Sequence, residues 1–314
     1  NAISLAATLP NAKIIDSADG SNIPVSPKRK IVYLAALMLG VVVPFLFFYI
    51  KFLLDYKVHS IKDIEAVLKA PFLGEIPKTK AVENIVVSRN DSGAVAESFK
   101  MLRTNITFML SNIKEGTKTI FVSSTIGGEG KTFIAVNLAT VLAMSGKKVL
   151  LIGGDIRKPK IKDYINITSE KGLTHYLMDD SLNVEDVIVH NGATNFDILY
   201  SGIIAPNPSE LLMNGRFDDV LTYGKENYDF VIVDTSPIKL VTDTLLLSYT
   251  ADLFVYVIRA NYLDKRLLEI PNKLFTEKRI QNMALLLNGI DLEKEHSYGY
   301  GYGYGEDVIK KPWW

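Results

Sequence analysis

The longest apolar stretch of the chain covers residues 31–50, IVYLAALMLGVVVPFLFFYI, in which no side chain is charged. A helix of about 20 residues rises about 1.5 Å per residue and so reaches roughly 30 Å, the thickness of the hydrocarbon core of a bilayer. Pro44 would kink a helix in water, whereas membrane helices tolerate proline. The pattern predicts a transmembrane helix within residues 31–54, with a buried core helix as the alternative.

Beyond residue 118, short apolar segments alternate with segments of helical periodicity. Such alternation is typical of a parallel sheet covered by helices on both faces. Helices are predicted over Thr132–Met144 and Asp264–Thr276, and upstream over Gly93–Ser111, where apolar side chains recur at three- and four-residue steps. We predict one α/β domain over residues 93–291. Its strands are predicted at Thr119–Ser123, Lys148–Ile152, Phe196–Tyr200, Phe230–Val233, Leu253–Ile258 and Ala284–Leu287.

The segment between the apolar span and this domain, residues 55–92, is predicted to be a juxtamembrane linker. Ser60 can cap a short helix over Ile61–Leu68. Gly74 and Pro77, which follow this helix, predict a loop.

A glycine-rich loop follows the first predicted strand of the domain and opens a helix, which is the context of a phosphate-binding loop. Its sequence, SSTIGGEGKTF, lets backbone N–H groups and the helix N-terminus approach an anion. Lys131 would reach the β- and γ-phosphates of ATP, and the Thr132 hydroxyl would bind Mg²⁺. Thr125 stands where the strict pattern has its first glycine, so an ordinary glycine-rich turn is the alternative. The predicted nucleotide contacts here are Gly127, Gly128, Glu129, Gly130, Lys131, Thr132 and Phe133.

Two acidic residues follow apolar strands at the edge of the sheet where ligands bind. Asp234 ends the strand FVIVD and can hold Mg²⁺ directly or through water, unless it is a cap or turn residue. Asp155 follows KVLLIGG and can accept a proton from an attacking hydroxyl, although by itself it is equally a capping residue. We predict Lys131, Asp155 and Asp234 as catalytic residues, and Thr132, Asp155 and Asp234 as magnesium ligands.

Composition narrows the possible functions. The 35 basic and 35 acidic side chains give a formal net charge of zero, which argues against a dedicated nucleic-acid-binding protein. There is no cysteine, so disulfides, thiolate metal sites and cysteine nucleophiles are excluded. The four histidines are scattered, which argues against a histidine metal cluster. Because the first residue is Asn1 rather than Met, we expect the chain to be part of a longer polypeptide.

Together these motifs resemble the bacterial tyrosine kinases of capsular and exopolysaccharide export, in which a polysaccharide co-polymerase is fused to a cytoplasmic P-loop kinase domain. The phosphate loop, Asp155 and Asp234 match the nucleotide motifs of that family. The resemblance extends to SIKDIEAVLKAPFLGEIP after the apolar span and to GIIAPNPSELL from Gly202. It also includes Pro24–Lys30 and the span itself, so it covers nearly the whole chain.

One further segment resembles a helix through which subunits of that family touch, Glu-x-x-Arg-x-x-Arg. The corresponding residues here are Glu97, Lys100 and Arg103. Lys100 replaces an arginine and lacks its planar two-pronged donor. A second departure is Gly153, which stands where many relatives carry Asp, so that Asp155 is the only carboxylate of its motif.

The resemblance implies an ATP-dependent protein-tyrosine autokinase, with a P-loop NTPase-like fold, that controls the assembly and export of a surface polysaccharide. It implies ATP and Mg²⁺ as cofactors and a ring-like homo-oligomer. Other implied partners are an outer-membrane polysaccharide export protein, a tyrosine phosphatase and the polysaccharide polymerisation machinery, but not nucleic acid. Residues 1–30 would be the end of an extracytoplasmic co-polymerase domain.

Orientation in the membrane is expected from the nucleotide site. Basic residues flank the span on both sides, with Lys28, Arg29 and Lys30 before it and Lys51 and Lys57 after it. This bias mildly favours a cytoplasmic N-terminal flank. ATP is cytoplasmic, however, and the nucleotide site follows the span. We therefore expect a bacterial inner-membrane protein whose kinase domain is cytoplasmic.

Two weaker candidate sites lie near the C-terminus. Asn288 follows a predicted strand, where an amide could hydrogen-bond the adenine edge, but Asn-Gly is also a common turn. Residues 292–314 form a tail in which tyrosine and glycine alternate, a composition that cannot build a sizeable core. The tail is either a low-complexity segment or a set of phosphate acceptors, and the resemblance implies autophosphorylation of Tyr298, Tyr300, Tyr302 and Tyr304.

Two other functions compete with a tyrosine kinase. One is an ATPase switch similar to the chromosome- and septum-positioning ATPases, whose phosphate loop carries a signature lysine where this chain has Ile126. The other is a scaffold that sets polysaccharide chain length, with nucleotide only tuning its assembly.

Overall fold

The computed structural model describes residue 20 and residues 26–79, 85–88, 93–113, 116–192, 194–239 and 243–291. The chain divides into two units, Asn1–Asp55 and Tyr56–Trp314. The four tail tyrosines predicted as phosphate acceptors lie outside the described residues, as does most of residues 1–30.

In the first unit, helix α1 runs over Arg29–Leu53. Its 25 residues include an 18-residue window of mean hydropathy 2.6, and its apolar side chains are exposed along the whole length. The predicted apolar helix is therefore confirmed. By length and composition it can cross a membrane.

The second unit is built on a sheet whose described strands follow the order β1-β8-β7-β2-β6-β3-β5-β4. Every neighbouring pair is parallel except β4 with β5. The strands are β1 (Phe72–Pro77), β2 (Lys118–Ser124), β3 (Val149–Gly153), β4 (Val189–Asn191), β5 (Phe196–Leu199), β6 (Phe230–Asp234), β7 (Leu253–Arg259) and β8 (Met283–Ile290). All six strands predicted from the apolar runs are confirmed.

Helices cover both faces of this sheet, as predicted. One core joins alternate side chains of the strands, such as Ile120 and Val122, to α3 and α4, while a second core joins Phe121 and Val231 to the helices of the other face. The helices are α2 (Ile61–Glu65), α3 (Ala94–Met109), α4 (Lys131–Met144), α5 (Leu173–Met178), α6 (Pro208–Leu212), α7 (Arg216–Asn227), α8 (Asp243–Leu247) and α9 (Glu269–Thr276). A 3₁₀ turn over Lys265–Leu268 precedes α9, so the predicted helix from Asp264 is α-helical only in its second half.

The prediction of a loop at Gly74 and Pro77 was wrong, because these residues belong to β1 at one edge of the sheet. Leu73 and Ile76 of this strand are buried, and β1 pairs with β8. Proline is tolerated in an edge strand, where one side of the backbone needs no partner, and that is why it did not prevent strand formation. At the opposite edge, β4 has three residues, too few to give an apolar pattern.

Candidate active site

The glycine-rich loop lies between β2 and α4, at the carboxyl edge of the sheet. Gly128 and Gly130 have φ angles of +88° and +97°, values that side chains with a Cβ rarely adopt. Gly130 is the residue before the first turn of α4, so this helix of 14 residues begins directly at the loop. Its N-terminal end gives the site a preference for anions.

A cavity of about 350 Å³ opens above this loop. The strands end around it, as expected for a ligand site in a parallel sheet. Six of the residues predicted from the sequence line it: Gly127, Gly128, Gly130, Lys131, Thr132 and Asp155. The remaining lining residues are Arg157, Lys158, Lys160, Tyr164, Ser236, Pro237 and Arg259. Four of these are cationic, which suits a polyphosphate.

The predicted magnesium ligands Thr132 and Asp234 are in direct contact. The Thr132 hydroxyl donates a hydrogen bond of 2.6 Å to Asp234 Oδ2, although the two residues are 102 positions apart. Asp234 is buried, and its Oδ1 has no hydrogen-bond partner among the described residues. A buried carboxylate oxygen without a partner beside a threonine hydroxyl fits the oxygen ligands that Mg²⁺ takes.

The surroundings of Asp234 shift the pKa of its carboxyl group. Burial raises the pKa of this carboxyl group to about 6, with a further rise from Asp155, whereas Lys131 and the Thr132 hydroxyl act to lower the pKa. A bound cation would act in the same direction as Lys131 and Thr132 and favour the ionised carboxylate.

Asp155 lines the same cavity as the loop, and its carboxylate also stabilises a turn. Its Oδ1 accepts hydrogen bonds from the backbone N–H groups of Arg157 (3.3 Å) and Lys158 (3.0 Å), as a turn-forming aspartate does. It also accepts one of 2.8 Å from the hydroxyl of Ser236. The carboxylate is therefore held rigidly while it lines the cavity.

Gly153 has no room for a side chain. A Cβ here would lie 2.6 Å from Ser201 Oγ and 2.8 Å from the backbone nitrogen of the same residue. A side chain would require the backbone around Ser201 to move. The glycine thus fits the close approach of these two segments, and Asp155 is the only carboxylate of its motif.

Three predicted nucleotide contacts are not among the residues that line the cavity. Glu129 is buried beneath the loop, where its Oε2 accepts the N–H of Ile126 at 2.7 Å, and burial raises its pKa to about 7. Phe133 stacks edge-on against Phe99 of α3, with 5.7 Å between the ring centroids. Asn288 donates its amide to the backbone carbonyl of Glu129 at 2.8 Å. Direct contact of these three residues with a nucleotide stays a prediction.

The predicted subunit-contact residues lie on the outer side of α3. Glu97 is exposed, and Lys100 and Arg103 are partly exposed. Lys100 forms an ion pair of 2.6 Å with Glu97 one turn earlier. The exposed apolar side chains of Met101 and Phe108 are on the same helix. The role of this surface in assembly stays a prediction.

The cavity-lining residues that sequence reasoning missed come mainly from two segments elsewhere in the chain. Lys158, Lys160 and Tyr164 come from the segment after Asp155, and Arg259 from the end of β7. Lys158 adjoins Asp155 in the segment DIRKP, whereas Lys160, Tyr164 and Arg259 belong to no motif. Only the position of Arg259 after a predicted strand could have suggested that it lies at the ligand edge.

Comparisons with known proteins agree on one group of relatives. A family model described as an AAA domain matches residues 117–294. A putative tyrosine-protein kinase of Erwinia amylovora, AmsA, is 30% identical over 307 residues, which cover 92% of this chain and 42% of the relative. The tyrosine-protein kinase YwqD of Bacillus subtilis is 32% identical over 211 residues, which cover 67% of this chain and 88% of the relative.

Solved structures give the same result for the fold. The kinase domain of the Escherichia coli tyrosine kinase Etk is 28% identical and superimposes with a TM-score of 0.67 over 79% of this chain and all of that domain. The chain spans about two fifths of the length of AmsA.

Proposed function

The chain belongs to the bacterial tyrosine kinases with an AAA-type nucleotide-binding domain, and from this premise we propose that it transfers the γ-phosphoryl group of ATP to tyrosine side chains. The observation that carries the proposal is the hydrogen bond from Thr132, which lines the cavity together with Lys131 and Asp155, to the buried carboxylate of Asp234. Phosphoryl transfer needs little more than such positioning and charge stabilisation.

Each of these residues has a role that its position supports. Lys131, at the first turn of α4, would bind the β- and γ-phosphate oxygens and offset the charge that develops during transfer. Thr132 and Asp234 would hold Mg²⁺, which would supply positive charge to offset that of the phosphate groups. Asp155 would accept the proton of the tyrosine hydroxyl. Because tyrosine has a pKa near 10, the proton has to leave as the new oxygen–phosphorus bond forms.

We also propose the membrane location and the cellular process that the sequence resemblance implies. Helix α1 would anchor the protein in a bacterial inner membrane, with residues 56–291 on the cytoplasmic side, where ATP is found. The physiological process would be the assembly and export of a surface polysaccharide, together with an export protein and a tyrosine phosphatase.

The proposal is tested by incubating the purified protein with ATP and Mg²⁺ and measuring phosphotyrosine and ADP together. We expect phosphotyrosine to form on residues 298–304 in proportion to the ADP released. An ATPase switch would release ADP without phosphotyrosine, and a chain-length scaffold would produce neither. Either of those results would refute the kinase.

The acceptor tyrosines of one subunit are expected to enter the site of a neighbour. Tyr298 lies ten residues after Asn288, a length of chain that spans at most about 35 Å when extended. This reach allows the neighbouring site but does not exclude the chain's own. The surface of α3 that resembles a subunit contact favours the neighbour. Four phosphotyrosines would add about −6 to −8 charges per chain at pH 7, and repulsion of that size would loosen a ring.

A mixing experiment decides between the two routes. One chain carries Lys131→Met and keeps its tail, while the other is active but ends at Asp291. Transfer between subunits predicts phosphotyrosine on the inactive chain, and no label there would rule it out. The mass of the oligomer before and after phosphatase treatment then tests the loosening, since equal masses would contradict it.

A further inference from the structure

Three successive carbonyl groups of the phosphate loop are each held by a different side chain. The hydroxyl of Tyr262 donates to the carbonyl of Gly127 at 2.9 Å. The guanidinium of Arg259 donates to the carbonyl of Gly128 at 2.7 Å, and the amide of Asn288 to that of Glu129 at 2.8 Å. We call Arg259, Tyr262 and Asn288 the carbonyl clamp.

The clamp determines where the loop amides point. In a planar trans peptide the carbonyl and the following N–H point in opposite directions. Holding the three carbonyls on one side therefore turns the N–H groups of Gly128, Glu129 and Gly130 to the other side. Within the part of the chain that the structure describes, none of these N–H groups donates to a protein acceptor. Successive free amides of this kind form a concave site for an anion.

The clamp adds a second reason, beside the backbone angles, why Gly128 and Gly130 are glycines. A Cβ on Gly128 would lie 2.6 Å from the Tyr262 hydroxyl oxygen, and a Cβ on Gly130 would overlap the amide nitrogen of Asn288. The clamp side chains thus occupy the space that the glycines leave open.

The clamp is itself supported from outside the loop. The guanidinium of Arg259 lies over the ring of Tyr262, 5.2 Å from its centroid. The turn that carries Tyr262 is fixed by segment 57–58, because Lys57 Nζ donates to the carbonyl of Tyr262 at 2.8 Å and the N–H of Asn261 donates to the carbonyl of Val58 at 2.7 Å. Tyr262 and Asn288 are not among the residues that line the cavity.

We propose that Tyr262 and Asn288, together with Arg259, are positioning residues that set nucleotide affinity by presenting the loop amides to the phosphates. Without the clamp, the glycine-rich loop would have to order itself on binding, at an entropic cost. The amides contact the phosphates before and during transfer, so the clamp raises affinity for the ground state and the transition state alike. Such uniform binding changes KM and leaves kcat nearly unchanged.

The test is Tyr262→Phe, which removes one hydroxyl from a partly exposed ring and keeps the ring. We expect the dissociation constant of ATP with Mg²⁺, measured by titration calorimetry, to rise about three- to tenfold, the loss of one hydrogen bond. The KM for ATP should rise by the same factor with kcat unchanged. Asn288→Ala should act in the same direction. Tyr249→Phe is the matched control, because that exposed hydroxyl contacts Asp218 and should leave ATP affinity unchanged.

Two results would overturn the clamp. One is unchanged ATP affinity in Tyr262→Phe. The other is a lower kcat at unchanged KM, which would indicate a loss of folded protein instead. The kinetic measurement rests on the proposed kinase function, whereas the calorimetric one does not. A wild-type protein that binds ATP but forms no phosphotyrosine would refute the kinase and leave the clamp testable by binding alone.

Discussion

Replacing Lys131 with methionine is expected to remove phosphotyrosine formation entirely while the fold is kept. Lys131 lines the cavity at the first turn of α4 and is the one loop side chain that can place a positive charge on the transferred phosphate. Loss of a cation that stabilises a phosphoryl-transfer transition state costs on the order of 10³-fold or more in rate. Methionine has nearly the same length and favours a helix, so α4 should still form. Detection of phosphotyrosine after incubation with ATP and Mg²⁺ measures the effect.

The control for this substitution is Lys147→Met, on an exposed residue just after α4. It removes the same charge far along the helix from the loop and should phosphorylate at the rate of the unmodified protein. Thermal unfolding of both variants shows whether the fold is kept. Undiminished phosphotyrosine in a folded Lys131→Met protein would show that the protein is not a P-loop kinase.

Replacing Asp155 with asparagine is expected to slow phosphorylation by about 10²-fold, the usual effect of losing a general base. The oxygen of asparagine can still accept the hydrogen bonds from Lys158 and Ser236, so the turn after β3 should persist. What asparagine cannot do is take the proton of the tyrosine hydroxyl. The rate of phosphotyrosine formation at saturating ATP is the measurement, and ATP binding should be retained.

Asp180→Asn serves as the matched substitution, because Asp180 is an exposed carboxylate outside the cavity that pairs only loosely with Arg216 at 3.3 Å. It should leave the rate unchanged. If Asp155→Asn also phosphorylates near the unmodified rate, the proton acceptor has been assigned to the wrong carboxylate. Gly153 offers no second carboxylate in this motif, so the role would then pass to Asp234 or to solvent.

The central strands could be predicted from the chain alone because both of their faces are buried. Such strands are continuous apolar runs, and the pattern identified β2, β3, β5, β6, β7 and β8. The apolar pattern is less regular in the strands at the edges of the sheet. In β1, Gly74 and Pro77 gave the pattern of a loop, although Leu73 and Ile76 are buried against the neighbouring layer. An edge strand needs partners on one side only and so tolerates residues that a central strand excludes.

The features of the site also divide into those that the sequence predicts and those that it does not. Gly128, Gly130, Lys131 and Thr132 are adjacent in the chain, and local backbone chemistry is enough to indicate a phosphate loop. Asp155 and Asp234 could be added because the carboxyl ends of parallel strands meet at one edge. The sequence could not show that Asp234 Oδ1 is buried without a partner, because that depends on how the strand ends pack.

Sequence by itself therefore determined the apolar helix, the parallel sheet with its phosphate loop, and the membership in a kinase family. These features follow from local periodicity and from short motifs, both of which depend on residues that are neighbours in the chain. Only the tertiary structure decided that Tyr262 and Asn288 hold the loop carbonyls, and that Ser201 leaves no space at Gly153. These contacts join residues that are far apart in the chain, and a hydrogen bond or a steric contact depends on atomic distance, which no local pattern specifies.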